Sequence, residues 1–172
     1  MEELTQILRD ATAAIGAEYF LLPIHGAGPV YRERVYCYEL YHQMRLRWPP
    51  GCNFRLNGEV DKAGHPYFQD GGEPQPDMLV HQPGYGNNYA VIEVKSCEGA
   101  AAGIRKDLNT LSRFRNEIGY PRAIYLFYGD ADPAGSLARV QELAVNVEHI
   151  APIEFWFHSA PGAPAAAVGN IA

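Results

Sequence analysis

The sequence predicts an α/β fold in which short apolar strands alternate with amphipathic helices. Apolar residues at helical spacing occur before, between and after the strand-like segments. The strand-like runs Ala90-Val91-Ile92 and Ala123–Tyr128 are continuously or almost continuously apolar, as strands covered on both faces are. Gly- and Pro-rich punctuation separates the segments at short intervals. At 172 residues the chain suits one folded unit with a sizeable core. That unit is expected over residues 1–158, with an N-terminal helical extension at 2–16.

The elements follow in order. Leu4, Ile7, Leu8, Ala11, Ala14 and Ile15 keep a helical period that Gly16 closes. His25-Gly26-Ala27-Gly28-Pro29 separates this helix from a second, about Val30 to Trp48, which Pro49-Pro50 ends. A strand is expected at about Phe54–Val60 and a loop at Asp61–Gln75. Two more strands follow, Met78-Leu79-Val80 and the run ending in Glu93-Val94-Lys95, around the turn-forming Gly84-Tyr85-Gly86-Asn87-Asn88. Gly99–Gly103 is a small-residue turn into a helix at about Ile104–Ile118, stopped by Gly119-Tyr120-Pro121. Ala123–Tyr128 is a buried strand, a helix runs from Asp130–Pro133 to about Val147, and Ile153–Phe157 is the last strand. From Ser159 to Ala172 the chain is largely Ala, Pro and Gly, and a disordered tail is expected there.

The chemistry concentrates between Pro76 and Lys95. Side chains alternate along a strand, so Glu93 and Lys95 share a face about 7 Å apart while Val94 points to the other. If the hairpin pairs as its turn suggests, Asp77 reaches the same patch from the neighbouring strand. Two carboxylates and an ammonium at a strand end make a divalent-cation site with a built-in positive charge.

Pro76-Asp77, fifteen intervening residues, then Glu93-Val94-Lys95 resembles the signature of the PD-(D/E)XK nuclease superfamily. The order α-β-β-β-α-β across Val30–Tyr128 is similar to its core. The resemblance implies a restriction-endonuclease-like αβββαβ core, with a central mixed sheet flanked by helices, in a small stand-alone member. It implies a metal-dependent nuclease, with nucleic acid, DNA above RNA, as substrate. Asp77 and Glu93, with the Val94 carbonyl, would hold Mg²⁺ or Mn²⁺, and Lys95 would act on the attacking water and the developing charge. The superfamily often adds a glutamate from the preceding helix. Glu33 falls inside that helix's apolar arc with Cys37, Leu40 and Met44, where a carboxylate is costly unless paired or metal-bound. Glu33 is therefore the expected fourth catalytic and metal residue, and Glu39, on the polar side, is expected in solvent.

Accessory candidates are weaker. Glu59 closes the first strand beside Asp77 and reads equally well as an exposed strand-end charge. Lys106 could reach a phosphate or lie on the solvated helix face. His81, four residues past Asp77, lies roughly 13 Å away along the strand. The six histidines lack metal-ligand spacing, and Cys37, Cys52 and Cys97 are too few and too scattered for a zinc site or a disulfide framework. Neither a nucleophile-elbow serine nor a phosphate-binding glycine loop is present.

A net charge of −6 excludes the strongly basic footprint of a high-affinity, sequence-specific DNA binder. Basic residues still cluster locally, at Arg32, Arg34, Arg45 and Arg47 and at Arg105, Lys106, Arg113 and Arg115. With no apolar run of roughly 20 residues and an acidic Met1-Glu2-Glu3 start, no membrane partner and a cytoplasmic location are expected. A homodimer is expected, because two sites related by a two-fold axis reach both strands of a duplex. Two alternatives stand beside the enzyme: an inactive nuclease-fold module that binds nucleic acid or assembles with protein, and an unrelated α/β enzyme with an accidental motif.

Overall fold

The computed structural model describes residues 3–59 and 74–172. Val60 of the first expected strand and residues 61–73 of the expected loop lie outside the described residues. The fold is α/β, with a six-stranded mixed sheet flanked by helices. Helices α1 (Leu4–Ala13), α2 (Ala17–Phe20) and α3 (Glu33–Leu46) precede strands β1 (Arg55–Gly58), β2 (Met78–Gln82) and β3 (Asn87–Ser96). Helix α4 (Ala101–Asn116), strand β4 (Arg122–Tyr128), helix α5 (Pro133–Ala144) and strands β5 (Ile153–His158) and β6 (Ala166–Ile171) complete the chain.

The strands lie in chain order across the sheet. β1, β2 and β3 form an antiparallel meander, β4 and β5 run parallel to β3, and β6 returns antiparallel to β5. Parallel neighbours need a crossover, and α4 and α5 supply the two. Both crossovers step in the same direction, so right-handed connections put both helices on one face. Leu79, Val91, Tyr125, Phe127 and Phe155 pack there with Ile104, Leu108 and Leu111 of α4. Met78, Ile92, Val94, Ile124 and Leu126 face the other way, against α1 and α3. Coverage on both faces explains why β3 and β4 read as unbroken apolar runs rather than alternating ones.

The C-terminal segment corrects the expectation of a disordered tail. Residues 166–171 form an edge strand whose register runs from Ile153↔Ile171 to Phe157↔Ala166. Main-chain pairing to β5 holds it, and that is invisible to composition. Ile171 is fully buried, and Ala165 N–H donates to Thr12 Oγ1 at 2.8 Å. A Cβ at Gly169 would meet Leu137 Cδ2 at 2.9 Å, so the small residue lets α5 lie close over the strand. The four-residue α2 is a second element absent from the sequence reading; it seats Phe20 in the core. Among the described residues no helix is long and apolar enough to cross a membrane.

Candidate functional site

Register places the first two candidates. Met78 pairs with Ile92 and Leu79 with Val91, so one step further back Asp77 stands opposite Glu93. Asp77 lies just before β2, where the chain bends and frees its side chain from the ladder. Its Oδ2 accepts the Val94 N–H at 2.7 Å, and its carbonyl accepts the Glu59 N–H at 3.0 Å. Glu93 sits beside Tyr125 on the α4 face and is 5% exposed.

The two carboxyls stand on paired strands, and the charge of Asp77 adds to burial in raising Glu93. Burial pushes Asp77 up to about 6, against the opposing pull of the Val94 N–H. Burial, then the charges of Asp77 and Asp107, hold Glu93 well above the usual carboxylate range. A divalent cation can neutralise such a pair, and the donors suit Mg²⁺, a hard ion that takes one or two carboxylates and keeps several waters. In an extended strand the N–H and C=O of one residue leave by the same edge. The Val94 carbonyl therefore leaves by the edge on which its N–H meets Asp77. Among the described residues no three His, Cys, Asp or Glu side chains gather as a ligand set, so such an ion would draw its remaining ligands from carbonyl, water and substrate.

Lys95 projects from the same face of β3 as Glu93, and two carboxylates from opposite sides of the sheet hold it. Its Nζ lies 3.1 Å from Glu33 Oε2, at the first residue of α3, and 2.9 Å from Asp107 Oδ2 of α4. Tyr125 donates its hydroxyl to the same Asp107 oxygen at 2.9 Å. Burial alone would lower the Lys95 pKa, but Asp107 and Glu33 outweigh it and the net shift is upward. Lys95 is thus a permanent cation. Its stem lies in a cradle of small residues: a Cβ at Gly99 would stand 2.5 Å from Lys95 Cδ and 2.6 Å from Cγ.

Glu33 lies on the buried side of α3, one turn before Cys37, as its helical position required. Its carboxylate faces Lys95 and Ser96 rather than bridging the acid pair: Oε1 takes the Ser96 N–H at 3.2 Å and hydroxyl at 3.4 Å. This corrects the expectation that it would point at Asp77 and Glu93, since the nearest cation and donors lie at the end of β3. Glu39 accepts from Gln43 at 2.7 Å on the polar side of the helix. The buried Cys37 thiol is raised first by burial and then by the charges of Asp77, Glu93, Glu33 and Glu59.

Glu59 takes a left-handed backbone (φ 44) and sits beside Asp77 on a cavity of about 410 Å³ that Tyr38, Tyr41 and Asn57 also line. Its side chain pairs with Arg34 at 3.6 Å. Lys106 is exposed on the outer side of α4. His81 meets Asn57 Oδ1 at 3.1 Å, beyond a register shift in β2 and towards the far end of that strand from Asp77. The structure does not bring it to the acid pair.

Sequence reasoning missed Asp107, Tyr125 and Gly99. Asp107 had a legible signal: it falls on the stripe of Ile104, Leu108 and Leu111, where a carboxylate is as anomalous as Glu33 was. Tyr125, inside an apolar strand, had none. Set against family models, curated proteins and solved structures, the chain matches none of them.

Proposed function

We propose that this protein is a metal-dependent nuclease of restriction-endonuclease-like type that hydrolyses phosphodiester bonds, with DNA as substrate. One observation carries the reading: a buried Asp77–Glu93 acid pair shares a strand end with an ammonium clamped by Glu33 and Asp107. Asp77, Glu93 and the Val94 carbonyl would hold the cation. Mg²⁺ or Mn²⁺, when bound, supplies charge neutralisation at the phosphate and a water acidified for attack. Lys95 keeps its proton, so its role is electrostatic: it stabilises charge developing on the phosphate oxygens. Glu33, Asp107 and Tyr125 position that ammonium, and the Gly99 cradle sets its depth. The apolar packing behind β3 keeps these groups from reorganising, which is what makes fixed charge effective.

The test is calorimetry with Mg²⁺ and Mn²⁺ beside a cleavage assay on single-stranded, duplex and branched DNA and on RNA. Metal binding without cleavage of any substrate would favour a second reading, an inactive module for nucleic-acid binding or assembly. The net charge of −6 is the observation on its side. We also propose a homodimer for double-strand cleavage, and a monomer in sedimentation that still makes double-strand breaks would refute it.

A further inference from the structure

The outer side of α4 carries Ala102, Arg105, Lys106, Asn109 and Arg113, a single stripe at helical spacing, and with Pro74 and the buried Thr110 it lines a groove of about 590 Å³. The stripe holds three cations in a chain of net charge −6. Asp107, the acid within this stretch, is turned inward onto Lys95 and Tyr125. Among the described residues Arg105 and Lys106 have no ion-pair partner, while Arg113 meets Glu117 at 3.3 Å. Both walls are joined to the site by short lengths of chain. Asp107 follows Lys106 directly, and Pro74 lies three residues before Asp77, within about 11 Å by chain length.

We propose that this groove binds the phosphodiester backbone of one strand of a DNA duplex and leads it to Asp77 and Glu93; the proposal rests on the nuclease reading above. Arg105 and Arg113 are separated by about 12 Å along the helix, the rise of roughly three to four nucleotides in a B-form strand. The groove's described lining has no aromatic residue on which an unstacked base could lie. Charge and small polar groups without a stacking surface recognise backbone rather than sequence. Stacking is how single strands are usually held, so the lack of a ring in the described lining favours the duplex.

The test is fluorescence anisotropy with a short labelled duplex in EDTA across a salt series, so that cleavage plays no part. Arg105→Gln/Lys106→Gln should weaken binding by roughly tenfold per lost contact at 0.1 M salt and reduce the salt slope by about 0.9 per contact. Arg9→Gln/Arg45→Gln changes the net charge equally on helices of the opposite face and should keep the parent's slope. A parent that does not bind, an α4 variant with the parent's slope, or a control that falls as far as the α4 variant overturns the proposal. Tighter binding of the single strand, or equal competition by polyglutamate, overturns it too. A cleavage assay run alongside separates the two readings. A parent that binds through the stripe but cuts nothing keeps the groove and removes the nuclease. A parent that cuts, with the stripe variant binding unchanged, does the reverse.

Discussion

Lys95 is held at three points: Glu33 and Asp107 fix its ammonium, and the bare backbone at Gly99 admits its stem. Lys95→Ala should lower cleavage by about 10²–10³-fold or more, the scale of losing one preorganised charge stabiliser. Calorimetric metal affinity should survive, because no oxygen ligand is removed. Asp77→Ala should abolish both. Gly99→Ala is subtler. Its Cβ would collide with the middle of the Lys95 stem, so cleavage should fall while metal affinity and fold persist; unchanged turnover would show that the cradle does not set Lys95. Asp77 also bears on stability. Its folded pKa, about 6, lies above the ordinary carboxylate value, so it stabilises the metal-free fold at low pH and that contribution is lost as pH rises through 6. Asp77→Asn should therefore raise the metal-free protein's stability at pH 8 by up to about 3 kcal/mol, read from denaturant melts. Saturating Mg²⁺ should narrow the gap by stabilising the parent alone.

At the scale of elements, helices on opposite faces of the sheet meet at one strand end. The first residue of α3 and the second turn of α4 each deliver a carboxylate to Lys95, so the clamp forms only when both helices are docked on β3. Asp107→Asn keeps the shape and the Tyr125 bond but removes half of the charge clamp. Cleavage should drop by about tenfold to a hundredfold, and the Lys95 ammonium should titrate at lower pH by NMR, a change that a merely structural role would not produce. Strand β6 makes a separate claim. Ile171→Ala should cost about 2–4 kcal/mol, because a fully buried side chain is truncated beneath α5. An unchanged melting temperature would mean that residues 166–171 do not pair with β5.

Over the whole molecule, a second ionisable centre lies apart from the acid pair. His158, at the end of β5, is fully buried, with Nδ1 at 2.8 Å from the Tyr36 hydroxyl and Phe20 packed edge-on to its ring. Burial lowers its pKa to about 4. The unfolded chain therefore binds the imidazole proton more readily, and stability is full above pH 6.5 and falls as pH drops towards 4. The loss attributable to His158 is about 3 kcal/mol. It runs opposite to the slope from Asp77 in the same window, so the metal-free parent should look flatter than either centre alone. In Asp77→Asn/Glu93→Gln the carboxyl pair is gone, and stability should rise from pH 4 to 6.5. A flat curve in that variant, or a His158 NMR midpoint near 6.5, would contradict the assignment.

What the sequence determined by itself was whatever local pattern encodes. The apolar runs and helical periods located strands and helices to within a few residues. The two-residue alternation put Glu93 and Lys95 on one face, and helical spacing put Glu33 on the buried side of α3. Asp77's place opposite Glu93 followed from a hairpin that its Gly/Asn turn announced. Tertiary structure decided the rest, because contacts between residues distant in sequence leave no periodic trace. It turned Glu33 to Lys95, supplied Asp107 and Tyr125 from a helix and a strand beyond the motif, and left His81 away from the acid pair. It also made a strand of an Ala/Pro/Gly segment. There the ordering comes from main-chain bonds to β5, from the Ala165 N–H on Thr12 and from the buried Ile171, and main-chain groups are the same in every residue but proline.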